Sequence, residues 1–457
     1  MTSHKTDQRF PVSVSLFGKG VFATLNTDAI SLSGFVSSLL SSKHFANISS
    51  AIQSTLGKQS ALLFAAQILN AAAGLAVTTL LTRSLSVTDF GAYTFVMTVI
   101  VFLATFMDFG VGSSMTRLVA IESNVDAQRR KAAISFIAAA ALGGIFLVVT
   151  VVASFLLDPI FQTNVGALVL LAAPLVIAFP MQEIIIALCR GSNHITFLSL
   201  MSVLPRIAYL LVLGALFFAS SITLEISVLT LLITMIVSIL PALFFFKPKF
   251  RQMKEEWLLL KKEIREYGKE MYSGRIIDGL TNGVDRMLIT FFHGVAPVGL
   301  YSIAQMMLMP VSMFSRSMGT SAYKRFTETR EISKKILLSN YLWCIGSGIA
   351  LMLACEILIP VFFTDKYASA LEVLPYVAIG SMLVGMNIPY NSFLSAQRQG
   401  RSIKIMSVTT SSVNLFLNLL LIPRYSMHGA AIAFIASYGL NLAMNLSYYH
   451  SHKKKSH

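Results

Sequence analysis

Charge is what this sequence lacks most. Only 12% of its 457 residues are Asp, Glu, Lys or Arg, against about 25% in a soluble domain, which excludes a large soluble enzyme. Cysteine is scarce as well. Cys189, Cys344 and Cys355 lie in or beside apolar segments without paired or ligand-like spacing, and they read as small core residues rather than a disulfide framework or a metal centre. No Walker-type loop, paired metal ligands or nucleophile arrangement appears, and no soluble stretch is long enough to carry one. Neither a metal nor a nucleotide cofactor is therefore expected, and no N-terminal segment has the pattern of a signal peptide. Acids are fewer than bases, 21 against 36, for a formal net charge of +15. Those bases form no nucleic-acid patch; they sit in short connections between apolar runs.

The rest is hydrocarbon. Hydrophobic residues make up 55% of the chain, mean hydropathy is +0.70, and apolar runs near 20 residues recur, so the expected class is an all-α, polytopic membrane protein. Spans are expected at about 60–82, 92–115, 133–156, 165–189, 196–219 and 224–246, then 271–293, 298–320, 337–362, 374–395, 403–422 and 428–449. Residues 1–58 form a Ser-rich N-terminal extension, disordered or interfacial. Residues 59–246 form a first lobe, 247–269 a basic helical connector, 270–450 a second lobe and 451–457 a basic tail. On this parse about 29 of the 36 Lys and Arg fall on one side, against Arg83, Lys366 and Arg424 on the other. That lopsidedness places both termini in the cytoplasm and requires an even number of spans, about twelve. Gly91-Ala92-Tyr93 and Gly299-Leu300-Tyr301 open spans 2 and 8 at the same relative place, and the same offset aligns Ser113 with Ser321 and Arg117 with Arg325. The repeat implies two parallel six-helix lobes with a substrate site between them.

Candidate site residues concentrate in the seventh span. Read as one helix from Met271 to His293, it places Arg275, Asp278, Asn282, Asp285 and Arg286 within an arc of roughly 100°. Each charge costs about 2.5–3.5 kcal/mol at a helix centre, so this face must meet protein or a water-filled cavity. Two readings stay open: a substrate-lining stripe, or a mutually satisfied network, with Arg275 paired to Asp278 and Asn282 to Arg286, that holds the lobes together. Arg206 follows the helix-distorting Pro205 and is either a cavity cation suited to phosphate oxygens or a local donor to carbonyls the proline frees. Arg316 either joins that cavity or snorkels to headgroups. Asp108 and Glu183 are candidate coupling acids or partners for a nearby arginine. Amides on span 10 (Asn387, Asn391) and span 11 (Asn414, Asn418) read as interhelical packing contacts.

Three segments carry a family resemblance. Leu81-Thr-Arg-Ser-Leu-Ser-Val-Thr-Asp-Phe-Gly-Ala-Tyr93 resembles the span 1–2 junction of Wzx-type polysaccharide flippases, within the multidrug/oligosaccharidyl-lipid/polysaccharide (MOP) exporter superfamily. Val284-Asp-Arg-Met-Leu-Ile through Gly299-Leu-Tyr-Ser-Ile-Ala304 is similar to that family's span 7–8 junction, and Asn414–Arg424 through Gly429-Ala-Ala-Ile-Ala433 to its span 11–12 turn. The resemblance covers about residues 60–450. It implies a MATE-like pair of lobes, an arginine-rich central cavity and alternating access, with Asp285 and Arg286 on the family's Asp-Arg pair. The implied cargo is a polyprenyl-pyrophosphate-linked oligosaccharide, flipped across the cytoplasmic (inner) membrane for O-antigen, capsule or exopolysaccharide synthesis. Membrane lipids, a polysaccharide polymerase and a chain-length regulator are the implied partners. Two rivals remain: a Na⁺- or H⁺-coupled drug exporter of the same fold, which expects an acid in the first lobe where span 1 has none, and a membrane polymerase or glycosyltransferase, which expects long outer loops.

Overall fold

A computed structural model of the chain describes residues 55–279 and 283–455, and among them every regular element is a helix. The N-terminal extension lies, up to residue 54, outside the described residues. The first helices are α1 (Thr55–Ser84), α2 (Val87–Thr105), α3 (Val111–Ala120), α4 (Val125–Phe161), α5 (Gly166–Ala172), α6 (Ala178–Gly191), α7 (Ile195–Phe218), α8 (Leu224–Val237) and α9 (Leu240–Phe246). After the connector helix α10 (Met253–Glu263) come α11 (Lys269–Gly279), α12 (Val284–His293), α13 (Ala296–Glu328), α14 (Lys334–Phe363), α15 (Ala370–Ala396) and α16 (Gly400–Lys455). Nine helices among the described residues are long and apolar enough to cross a bilayer. The bent pair Gly166–Leu175 and Ala178–Gly191, meeting at 41°, makes ten. This is a multi-pass, all-α membrane protein.

The last helix is two. Ser426 breaks it with φ 49° and ψ −129°. Across that break Asn441 donates from Nδ2 to Thr410 Oγ1 at 2.7 Å, although 31 residues of straight helix would span about 46 Å. The two arms are therefore antiparallel. Other expected spans are interrupted. Span 2 breaks between α2 and α3, where Phe109 and Gly110 take φ of 46° and 79°.

Local chemistry sets the helix starts. Ser86 caps α2: its Oγ accepts from Asp89 N at 3.0 Å and donates to Asp89 Oδ2 at 2.7 Å, a reciprocal cap that fixes the α1–α2 turn. Asn124 caps α4 by accepting from the N–H groups of Asp126 and Ala127 at 2.8 and 3.2 Å.

Helices from before and after the connector meet at one end of the molecule. One apolar core runs through both sets, from Leu81, Leu85 and Phe90 to Val298, Tyr301, Phe363 and Tyr367. Arg83 crosses this end, donating to the carbonyls of Val361 (2.7 Å) and Phe362 (3.4 Å). The Tyr367 ring stands edge-on to Phe90, with centroids 5.7 Å apart. The repeat-related glycines lie in the same seam. A Cβ on Gly299 would sit 3.2 Å from Gly91 Cα, and one on Gly91 only 2.1 Å from the Val295 carbonyl oxygen. Glycine is thus the only residue that lets α2 and α13 approach this closely.

The connector is pinned to the first set of helices. Along α10, Glu256 and Glu263 are buried and Leu260 joins the core of α3, α4 and α6. Glu256 accepts from Arg130 at 3.2 Å, with Lys131 3.9 Å away. Glu263 takes Arg117 at 2.5 Å, and Arg117 also lies over the Tyr267 ring. Arg117, which the internal repeat aligns with Arg325, is therefore a docking contact for the connector.

Candidate functional site

The seventh span is not one helix. α11 ends at Gly279 and α12 starts at Val284, with Gly283 at φ 88° between them, a backbone conformation that favours glycine. The expected single arc of five side chains is corrected accordingly, because Arg275 and Asp285 belong to different helices. Asn282 and the side chain of Asp278 lie outside the described residues.

Arg275, on α11, faces the first set of helices. Its Nη1 lies 3.2 Å from Asp108 Oδ2 and 3.7 Å from Glu183 Oε2. The other Asp108 oxygen accepts from Gly112 N at 2.9 Å, at the start of α3. Both oxygens of this nearly buried carboxylate are committed, and α11 is tied further by Tyr272, whose hydroxyl donates to Phe106 O at 2.8 Å. Of the two roles open to Asp108 and Glu183, the geometry supplies the arginine partner.

Arg206, Asp285, Arg286 and Arg316 line one cavity of about 980 Å³, at the upper end of the roughly 300–1,000 Å³ of small-molecule sites. Its walls come from α1, α2, α7 and α8 on one side and from α12, α13, α15 and both arms of α16 on the other. Among its lining residues three are cationic and one anionic, a net +2. Arg206, exposed on α7, makes no hydrogen bond or ion pair with the described residues. It packs against Gly74, where a Cβ would fall 2.8 Å from Arg206 Nη1. Arg316, on α13, is likewise exposed and unpaired among the described residues. Arg286 is held at the first turn of α12: Thr290 Oγ1 donates to its carbonyl at 3.0 Å, and its own N–H donates to Asp285 Oδ1 at 2.9 Å. Its guanidinium gives one Nη2–H to Gln305 Oε1 at 2.6 Å, and its buried Nε has no acceptor among the described residues. A buried donor without a partner costs about 1–3 kcal/mol, which an anionic ligand in the cavity would offset.

Gln305, Thr410, Ser411 and Asn441 line the cavity without a clear signal in the sequence, whereas Asn391 and Asn414, read there as packing contacts, line it too. Gln305 orients Arg286. Asn391, Asn414, Thr410, Ser411 and Asn441 set a band of amides and hydroxyls on the opposite wall. Asn387 behaves differently. It is buried, donates to the carbonyls of Leu383 and Tyr438, and accepts from Asn445, which is the packing role expected of it. Asn391, one turn further along α15, faces the cavity, and no periodicity distinguishes the two.

A bundle of membrane helices around a charged cavity, with an end closed by contacts between its two sets of helices, is the architecture of a transporter. The fold matches that of the lipid II flippase MurJ in an inward closed conformation (TM-score 0.70, 15% identity, covering 85% of this chain and 87% of that one). It also matches a multidrug-resistance MATE family transporter of the MOP superfamily in an inward-facing conformation (TM-score 0.68, 12% identity, 85% and 96% covered). Residues 56–330 match the polysaccharide biosynthesis protein family, and the chain belongs to that family. An uncharacterized membrane protein of Methanocaldococcus jannaschii is 30% identical over 208 residues, 42% of this chain and 40% of that protein. The match therefore spans two-fifths of that relative.

Proposed function

We propose that this transporter flips a polyprenyl-pyrophosphate-linked oligosaccharide, the repeat unit of an O-antigen, capsule or exopolysaccharide, across the cytoplasmic membrane by alternating access. The observation that carries the reading is the sign of the cavity: among the described lining residues, Arg206, Arg286 and Arg316 stand against Asp285 alone. A guanidinium offers forked donors matched to phosphate oxygens. The amides and hydroxyls of α15 and α16 supply the donor-acceptor pairs that sugar hydroxyls require. A drug exporter moving cations would face repulsion from the same three arginines, and Asp285 is the only carboxylate among the lining residues.

The membrane arrangement belongs to the same reading. Twelve spans in two six-helix lobes, with both termini cytoplasmic, put Arg83 and Lys366 at the outer surface. The end closed by Arg83, Tyr367 and the Gly91–Gly299 seam is then the outer one, and transport requires those contacts to part. A polymerase and a chain-length regulator would take the product on that side. The test replaces Arg206 and Arg286 separately with Ala. Surface glycan should be lost while membrane abundance of the protein stays normal; glycan export retained by both variants would refute the assignment.

A further inference from the structure

The three arginines that line the cavity do not stand together. Arg286 gives its Nη2–H to Gln305 of α13 at 2.6 Å. Arg206 reaches the same level: a Cβ on Gly74 would lie 2.8 Å from its Nη1 and 3.9 Å from Cε of Met306, the neighbour of Gln305. Arg316 is eleven residues further along α13, which continues through Pro310. At about 1.5 Å and 100° per residue it projects within about 20° of Gln305 but stands about 16 Å away. Long helical side chains lean toward the N-terminus, so Gln305 and Arg316 tilt the same way and their tips stay as far apart. Two phosphorus atoms joined by one oxygen span only a small part of that distance. A pyrophosphate held at Arg206 and Arg286 leaves Arg316 unanswered.

The interval between the two positions is polar and uncharged. His293 Nε2 lies 2.7 Å from Ile422 O. Because α13 starts three residues after His293, this contact gives α12, α13 and the first arm of α16 a common end. Counted from it, Arg286 and Asn414 both lie about 10–12 Å in. Thr410, Ser411 and Ser407 follow Asn414 in the direction of Arg316, and all of them line the cavity. Asn391 marks the Arg316 end. Its neighbour Ser392 places Oγ 2.6 Å from where a Cβ would fall on Gly319, one turn beyond Arg316. The internal repeat singles out the same place: the offset that aligns Gly91 with Gly299 sets Arg316 against Asp108. In the first repeat that charge is answered within the protein, by Arg275 at 3.2 Å. In the second the charge is reversed, and no carboxylate among the described residues pairs with it.

We propose that the transported glycan carries an acid of its own, a sugar carboxylate about three residues from the pyrophosphate, and that Arg316 receives it. This rests on the reading of Arg206 and Arg286 as the pyrophosphate site and adds the chemical class and register of the sugar chain. A pyranose with its glycosidic bond advances about as far as one helical turn, so three turns of about 5.4 Å each bring the third sugar to Arg316. A carboxylate accepts the forked donors of a guanidinium as a bidentate pair, whereas bonds to neutral hydroxyls are roughly half as strong. Arg316 therefore selects among glycans, while Arg206 and Arg286 hold the anchor common to all of them.

The test measures binding of two synthetic probes to the full chain in phosphatidylcholine nanodiscs. One is an undecaprenyl-pyrophosphoryl triglucoside, and the other carries glucuronic acid in place of its third glucose. The acidic probe should bind about tenfold more tightly. Arg316→Gln should bring the two affinities within about twofold of each other, whereas Arg206→Ala should weaken both and keep their ratio. Equal affinities in the wild type, or a preference that survives in Arg316→Gln, overturn the proposal. So does a preference that vanishes in phosphatidylglycerol nanodiscs, which would give Arg316 to lipid phosphate. Failure of both probes to bind refutes the pyrophosphate reading and this proposal with it, while affinities unchanged in Arg206→Ala and Arg286→Ala refute that reading alone. The wild-type comparison needs no variant, so misfolding of Arg316→Gln leaves it decisive.

Discussion

Gly91→Ala should unlock the end of the molecule that is closed here. The added methyl would lie 2.1 Å from the Val295 carbonyl oxygen and 2.6 Å from its carbon, where van der Waals contact is near 3.5 Å. The obstacle is backbone, so α2 and α13 must separate by about 1 Å, or the methyl must strain the seam. Overpacking of this kind costs about 1–3 kcal/mol. The cost falls on the closed arrangement and not on one in which the seam has parted, so the closed-to-open ratio should drop by about 5- to 150-fold. Spin labels at Ser84→Cys and Lys366→Cys, both exposed beside the seam, report the opening as a longer component in the distance distribution. Gly144→Ala is the control. A Cβ there meets nothing within 4 Å, and alanine in a helix interior is favoured over glycine by about 0.5–1 kcal/mol. Distances unchanged in Gly91→Ala, with or without a fall in thermal stability, would refute the idea that the seam acts as a gate.

Arg275→Ala should lower the melting temperature in detergent. It leaves the nearly buried Asp108 with one oxygen unpaired, an expected loss of about 1–2 kcal/mol given that Arg275 is partly exposed. Asp108→Asn, which keeps the acceptor for Gly112 N, should lose less. A normal melting temperature with lost transport would instead make Arg275 a substrate ligand. Acid should loosen the α3–α4 turn. Lys131 holds the Glu122 carboxyl below the usual carboxylate range, chiefly through their hydrogen bond. Because the folded state has the lower pKa, the stabilisation is present above the unfolded value of about 4.3 and disappears as pH falls through the folded one. The difference in melting temperature between wild type and Glu122→Gln should be constant from pH 8 to 6 and shrink progressively as pH falls below about 4.3; a difference that stays constant down to the most acidic pH the protein survives would contradict this.

The class was legible from hydropathy because a bilayer dictates length and polarity together: runs near 20 residues with few charges have little alternative to a spanning helix. The breaks were less legible. Gly274, Gly279 and Gly283, with Ser273 and Thr281, make the seventh span a poor rigid rod, yet a helical wheel assumes continuity and so places Arg275 and Arg286 on one face. α11 ends at Gly279 and α12 starts after Gly283 with its positive φ, and the two arginines meet different partners. Arg206 illustrates the opposite case. A charge beside a proline in mid-span has two readings in the sequence; in the structure its guanidinium reaches no carbonyl among the described residues and lines the cavity with Arg286 and Arg316. The amides of α15 mark the limit of periodicity. Asn387 and Asn391 are one turn apart and chemically identical, and only the packing of α16 puts one in the core and the other at the cavity wall.

The first turn of α12 ties these observations together. Had Asp285 and Arg286 formed a closed pair, they would stabilise the helix and leave the cavity near neutral. Arg286 instead spends its guanidinium on the neutral Gln305 and keeps a buried Nε without a partner among the described residues. Neutral orientation fixes the fork without cancelling its charge, which is the arrangement a site for an exchangeable anion requires. The orphaned donor is tolerable only if the site is hydrated or filled for much of the cycle.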